Sequence, residues 1–543
     1  MTDRQKNPWA ILVVLCLGFF MILLDTTIVN IAIPSIIDSL KATLDQILWV
    51  LNAYILVYAV LLITAGRLGD LYGQRNLFAI GLTVFTLASA ACGFAQDPAQ
   101  LIAARVVQGV GGALLTPQSL AILTTIFPPE KRGTAFGIWG GVAGLAAIAG
   151  PTLGGLLVTY LSWRWIFFVN VPIGIGALVA TFVIVPDLRQ LRSHKLDLIG
   201  VALASAGLFG IVYGLIEGQP KSWGAVIGPV TIWELIGAGV VLLGLFLLWE
   251  RRQAEPLIPL SLFANRNFTL MSFTSMAMAF GMFGLFLSFV IYLQSVLGMT
   301  PLQAGLAIVP MPMVSMVVAP IAGRLSDRLG GKYLLMAGLA LFAAGNAVII
   351  FVATPTSVWS DFLPAFLIAG VGMGMIFAPM TTVAMRNIQP QVAGAASGVF
   401  NTSRQLGGAI GSASIGALLE NRLSEALKSE SVSHATALPA QFRHQFIDGF
   451  ARAAQGGLQV GRGQSGAAAH LPAGLPPQVA QQLAQLSHDV FVTAFVEAMK
   501  ATLYLPVAIL VVGSLSCLLI QRRAAAEAAH EAREAGRQAS PAS

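Results

Sequence analysis

The sequence predicts an all-α integral membrane protein of fourteen membrane-spanning helices: two six-helix halves with two further helices inserted between them. Three observations carry this. Of 543 residues, 56% are hydrophobic and only 10% charged, whereas soluble domains run near 25% charged. Nine or more apolar runs of about 20 residues follow one another, each long enough to cross a hydrocarbon core about 30 Å thick, which excludes a monotopic anchor. The runs show no two-residue alternation. Since backbone polar groups in lipid must bond internally, the spans are helices rather than barrel strands.

In chain order the expected spans are roughly 9–37, 46–66, 77–95, 99–126, 134–159, 164–185, 198–217, 229–249, 268–296, 302–323, 333–353, 362–385, 392–418 and 499–521. The first carries a carboxylate, Asp25, followed by Thr26, Thr27 and Asn30. At about 1.5 Å per residue Asp25 lies roughly 24 Å from Trp9, inside the hydrocarbon region. An acidic group there marks a proton, ion or substrate pathway, or else bonds a neighbouring helix as polar glue. The run is not followed by a small-residue cleavage site, so no cleavable signal peptide is expected.

The second span ends in Gly66-Arg67-Leu68-Gly69-Asp70-Leu71-Tyr72-Gly73-Gln74-Arg75. Its glycines allow a tight turn and Asp70 suits a helix N-terminus. The fourth span places Arg105 in its outer third, at a depth similar to Asp25, with Gln108 one turn on; an Arg there needs an anion or water. The fifth holds Gly144, Gly150-Pro151 and Gly154-Gly155, a combination that suits a helix bending or packing closely at a central interface. The ninth is rich in Met and Phe, Met276 and Phe283 among them, as a pocket for varied apolar ligands or ordinary core packing would be. Arg404 in the thirteenth is a second deep cation. The stretch from about 419 to 498 is rich in Ala, Gln and Gly, holds four of six histidines, and reads as an extracellular flexible loop with room for short amphipathic helices. The run from Arg522 reads as a surface helix ending in a disordered stub.

Orientation follows from the cations. Twenty Lys and Arg residues fall in segments on the side of the N-terminus, against Lys41, Arg164 and Lys221 in short loops on the other. Both termini are therefore expected in the cytoplasm. This distribution also accounts for the net charge of +7 without nucleic acid.

The chain repeats internally. Gly66 to Gly73 returns as Gly323-Arg324-Leu325-Ser326-Asp327-Arg328-Leu329-Gly330, and Gly109-Val110-Gly111 as Gly370-Val371-Gly372. The repeat divides the chain into a first half (1–190), two linker helices (191–260), a second half (261–521) and a tail (522–543). Parallel repeats of this kind belong to transporters that rock one half against the other around a midplane site.

Together these stretches resemble the major facilitator superfamily, and within it the fourteen-helix drug:proton antiporters that export quaternary ammonium compounds and many drugs. The motifs are Leu24-Asp25-Thr26-Thr27-Ile28-Val29-Asn30-Ile31-Ala32-Ile33-Pro34, the turn from Gly66 to Arg75, Arg105-x-x-Gln108-Gly109, the glycines and Pro151 of the fifth span, Ser162-Trp163-Arg164-Trp165, and Asn401-Thr402-Ser403-Arg404-Gln405-Leu406-Gly407-Gly408. The resemblance covers residues 9 to about 418 and the last helix. It implies a major facilitator fold, proton carriage by Asp25 assisted by Arg105, and gating by Gly66, Asp70, Gly73, Arg75, Gly323, Asp327 and Gly330. It also implies that Gly144, Gly150, Pro151, Gly154 and Gly155 favour export. Leu71 and Gln74 stand where the family often has basic residues, which weakens the expected inner gate. Asn30, Gln108, Met276, Phe283 and Arg404 are the candidate cavity residues.

No Gly-x-x-x-x-Gly-Lys-Ser/Thr loop is present, so direct use of ATP is not expected. No histidine lies in an expected span, and Cys16, Cys92 and Cys517 have no ligand spacing, so neither metal nor disulfide is expected. No nucleophile and base converge as an enzyme requires. The expectation is a cofactor-free secondary transporter of the cell membrane, working as a monomer between lipid, protons and lipophilic, often cationic drugs. Export of an endogenous lipid or secondary metabolite is the alternative within transporters; a channel or a receptor is the alternative outside them.

Overall fold

The computed structural model describes residues 7–42, 44–187, 197–218, 221–253, 256–386, 388–436, 438, 440–455 and 477–521. The expected helix of the tail lies outside them. The first half comprises α1 (Pro8–Leu40), α2 (Leu44–Tyr72), α3 (Gln74–Phe94), α4 (Pro98–Ile126), α5 (Pro129–Tyr160), the single turn α6 (Trp165–Phe168) and α7 (Asn170–Ile184). The inserted helices are α8 (Leu198–Gly218) and α9 (Ile232–Glu250), joined through a small antiparallel pair, β1 (Ala225–Ile227) and β2 (Val230–Thr231). The second half comprises α10 (Ser261–Ala264), α11 (Arg266–Ser295), α12 (Pro301–Ile308), α13 (Pro310–Leu329), α14 (Gly331–Val352), α15 (Leu363–Ala384), α16 (Ala393–Ala435), α17 (Ala440–Gln455) and α18 (Pro477–Ser516).

Local chemistry sets several boundaries. Asn7 and Asp97 cap α1 and α4 by accepting from Trp9 N at 3.0 Å and Gln100 N at 2.9 Å, and each is followed by proline at the first helical position. Gly73 and Gly330 have φ of 93° and 82°, so the turns from α2 to α3 and from α13 to α14 both need glycine. Proline divides what the sequence presents as the tenth span into α12 and α13, and the expected sixth span breaks between α6 and α7.

Packing repeats as the sequence does. In the first half α3 packs on α4, α2 on α4 and α1 on α5; in the second α14 packs on α15, α13 on α15 and α11 on α16. Two seams join the halves, α5 against α13 and α2 against α16. Glycines let these backbones meet. A Cβ on Gly66 would strike Gly394 O, and one on Gly323 would strike Gly133 O. The inserted α8 lies along α2 and also touches α16, with the Trp49 and Tyr213 rings 5.6 Å apart.

Among the described residues, thirteen helices are long and apolar enough to cross a membrane, and the remaining expected span is also a helix. The expected thirteenth span falls in α16, whose Gly, Ala, Ser and polar residues make it too weakly apolar to count; it is nevertheless largely buried against α11, α2 and α18. The stretch 419–498 is not a loop where it is described. It forms the end of α16, all of α17 and the start of α18. Leu423, Leu427 and Ala435 on one stripe of α16 are buried, as are Phe446, Phe450, Leu483 and Val490, and they continue the main hydrophobic core. Residues 456–476, which contain the glycine cluster, lie outside the described residues.

Candidate functional site

The stretch around Asp25 sits where α1, α2, α3 and α4 meet. Asp25, Arg105 and Gln108 are all buried, none more than 1% exposed. Arg105 Nη1 donates to Asp25 Oδ2 and to Gln108 Oε1 at 2.7 Å. Gln108 Nε2 donates to Asp25 Oδ1 at 2.8 Å, closing a ring of three side chains. The spacing of Arg105 and Gln108, three residues apart, puts both on one face of α4.

The guanidinium is held on two further sides. Its Nε donates to the Val50 carbonyl at 2.9 Å, and its Cζ lies 4.3 Å from the centroid of the Tyr54 ring. The Cys92 thiol approaches Gln108 Oε1 at 3.7 Å. Each carboxylate oxygen thus has a donor, and the positive charge has a carboxylate, an amide, a carbonyl and a ring face. Breaking such a pair by removing one partner costs about 3–5 kcal/mol, because the other charge stays buried. Tyr54, Val50 and Cys92 were not candidates from sequence. The four-residue spacing of Tyr54 and Tyr58 inside an apolar span is the signal that marks the α2 face involved.

At the Lys- and Arg-rich end of the helices, the two repeated aspartates make equivalent contacts across the seams. Asp70 accepts from Gly394 N and Ala395 N, both at 2.9 Å, capping the first turn of α16. Asp327 accepts from Gly133 N at 2.7 Å and from Thr134 N and Oγ1, each at 2.9 Å, capping the first turns of α5. Each half thereby places a carboxylate at the positive end of a helix dipole in the other. Gln74, one of the departures from the family pattern, turns its side chain to Asp70. Arg75 does not cross the seam: it donates to Val185 O at 3.4 Å and to Asp187 Oδ2 at 3.3 Å within its own half. Lys332 does the same job in the second half, donating to Leu518 O at 2.6 Å.

The glycines of α5 divide between two neighbours. A Cβ on Gly144 would meet Pro312 O of α13 at 2.7 Å, across the seam. Cβ atoms on Gly150 and Gly154 would instead strike Thr27 and Ile28 of α1, while one on Gly155 would reach only Leu302 Cδ1 at 3.6 Å. Thr27 Oγ1 donates to Ala146 O at 3.3 Å. Gly150 therefore seats α5 against the helix that carries Asp25, two residues from it, rather than against the other half.

The cavity candidates separate as well. Gln108 is closed into the Asp25 ring by its bonds to Asp25 and Arg105. Asn30 is exposed and donates to Thr26 O of its own helix at 2.9 Å. Met276 and Phe283 face α16, where Cβ atoms on Gly407 and Gly408 would strike the Met276 backbone and the Phe283 ring; Phe283 keeps 43% of its surface exposed. Arg404 lies across the seam from Tyr58 of α2.

The family model described as Major Facilitator Superfamily matches residues 15–412. The chain is 43% identical over 420 residues to an uncharacterized MFS-type transporter of Mycobacterium tuberculosis, covering 77% of this chain and 71% of that one. It is 36% identical over 427 residues to the tetracenomycin C resistance and export protein of Streptomyces glaucescens, covering 78% of each. Among solved structures, the human organic anion transporter MFSD10 aligns with a TM-score of 0.59 at 12% identity, over 93% of this chain and 99% of that one.

Proposed function

Since the chain belongs to the major facilitator superfamily, we propose that it is a proton-coupled antiporter that exports lipophilic antibiotics or related toxic compounds across the cell membrane. The observation that carries this reading is the closed ring of Asp25, Arg105 and Gln108. In the closed ring each carboxylate oxygen has a donor and the guanidinium has its anion; parting α1 from α4 would open the pair and leave the buried carboxylate to exchange a proton in place of Arg105. Both helices belong to the first half, so the motion that opens the pair is a shift of α1 against α4 within it.

The Asp70 and Asp327 caps support the same cycle. They tie the halves together at the basic end, which the cation distribution assigns to the cytoplasm, with both termini on that side. Proton binding at Asp25 loosens α1 against α4, and α1 is packed on α5 through Thr27 and Gly150. In turn α5 carries the Gly133 end capped by Asp327. One continuous helix therefore runs from the proton site to the gate, so the two need no further intermediary. The resistance and export role named for the Streptomyces relative supports drugs as the cargo. No cofactor beyond the proton gradient, no enzymatic step and no second subunit is required by this reading.

The test is efflux of a panel of dyes and antibiotics from cells expressing the protein, with and without an uncoupler. Export that collapses with the proton gradient is expected. Uptake, or efflux indifferent to the uncoupler, would contradict the proposal.

A further inference from the structure

Building on the export reading, we propose that the exported compounds are lipophilic acids, held at mid-membrane through the guanidinium of Arg404. Arg404 lies eleven residues into α16, about 16 Å along the helix and so near the middle of a core about 30 Å thick. It is only partly buried and meets Tyr58 across the seam between the halves. Tyr58 Oη spends its proton on Thr116 Oγ1 at 3.0 Å, leaving the phenol oxygen to accept from Arg404. One such oxygen leaves most of the five guanidinium N–H groups without a partner.

Among the described residues, no carboxylate pairs with Arg404. The ion pairs there involve Arg75, Arg105, Lys221, Arg422 and His434. Asp25, the carboxylate at comparable depth, is committed to Arg105 and Gln108. Asp70 and Asp327 spend their oxygens on helix N-termini at the basic end, and Asp361 accepts from Val358 N at 2.9 Å at the opposite end. Asp25 and Arg105 compensate each other, and the uncompensated charge is on Arg404.

A guanidinium at that depth attracts an anion strongly, and its planar fork matches a carboxylate or an acidic enol or phenol in two parallel bonds. One turn further along α16, Gly408 packs against the half-exposed Phe283 ring of α11, giving the ligand an apolar flank. A cationic drug would meet like charge at the same place. Charge bookkeeping follows: one proton entering as one monoanion leaves carries two charges, so transport should respond to membrane potential as well as to the pH gradient.

The test uses full-length protein in inside-out proteoliposomes and two dyes sharing a xanthene frame, fluorescein as the acid and rhodamine 6G as the cation. With an acidic lumen, wild-type protein should accumulate fluorescein at least tenfold faster than rhodamine 6G, and a lumen-positive potassium potential should raise fluorescein uptake further. Arg404→Gln should lose fluorescein uptake at least tenfold, and Arg404→Lys should recover part of it. Preference of the wild type for rhodamine 6G, or normal fluorescein uptake by Arg404→Gln, overturns the acid proposal and leaves the export reading standing. If neither dye is taken up by monodisperse protein, the export reading fails and the acid preference falls with it.

Discussion

Asp70 and Gly394 belong to opposite halves, yet the carboxylate of one accepts the backbone N–H of the other at 2.9 Å. Asp327 and Gly133 repeat the contact at the second seam. The two caps tie the halves together at the basic end with the same chemistry that terminates an ordinary helix, so their strength is predictable. Replacing either aspartate with alanine removes a capping interaction of about 1 kcal/mol together with its favourable dipole contact. Spin labels at Tyr72 and Leu329, exposed residues at that end of each half, should report a longer separation in Asp70→Ala and in Asp327→Ala. An unchanged distance distribution in both would mean that the caps do not hold the gate.

Gly150 and Gly155 lie on the same helix and differ in what a side chain would meet. A Cβ on Gly150 strikes Thr27, whereas one on Gly155 has ordinary contact with Leu302. Gly150→Ala should therefore destabilise by about 1–3 kcal/mol through overpacking and reduce transport by displacing α1. Gly155→Ala should leave both close to wild type. Thermal unfolding in detergent and transport in the same preparations provide the comparison, and equal behaviour of the two variants would rule out this packing role.

Gln108 bonds both members of the central pair. Gln108→Leu leaves Asp25 Oδ1 without its donor inside the protein, a loss of about 1–3 kcal/mol. The variant should unfold at lower temperature and exchange drug for protons more slowly, without losing drug binding, because the side-chain bonds of Gln108 go to Asp25 and Arg105. Loss of drug binding with normal proton exchange would return Gln108 to the cavity wall.

Much of this arrangement was legible in the chain. Asp25 and Arg105 stand out because charge in an apolar span is rare, and helix rise alone puts them at similar depths. The repeat of Gly66–Gly73 at Gly323–Gly330 marks the gate. Sequence does not show the partner of a side chain, however. Gln108 bonds Asp25 and Arg105, Arg75 bonds Asp187 within its own half, and Gly150 seats against Thr27, and none of these partners follows from spacing along the chain. The stretch 419–498 misled for a different reason. Its glycine cluster dominates the composition, while the four-residue spacing of Leu419, Leu423 and Leu427 and of Phe446 and Phe450, which builds the helices on either side, is hidden among Ala, Gln and Ser.

Topology has its own check. His444 is exposed on α17 and Arg252 is exposed at the end of α9, and the native cysteines are buried or half-buried. A cysteine at His444 should react with an impermeant thiol reagent applied to intact cells, and one at Arg252 should not. The reverse pattern would invert the orientation.

The central claim is that Asp25 carries the coupled proton, and drug-induced proton release from purified protein tests it most directly. Asp25→Asn keeps the size of the side chain and one acceptor oxygen for Arg105, but it cannot ionise. Wild-type protein should release protons when drug is added. The Asn variant should bind drug, release none, and fail to accumulate drug in vesicles under an imposed pH gradient. Wild-type proton release or uphill accumulation by Asp25→Asn would contradict the account and leave Asp25 as a structural bond between α1 and α4.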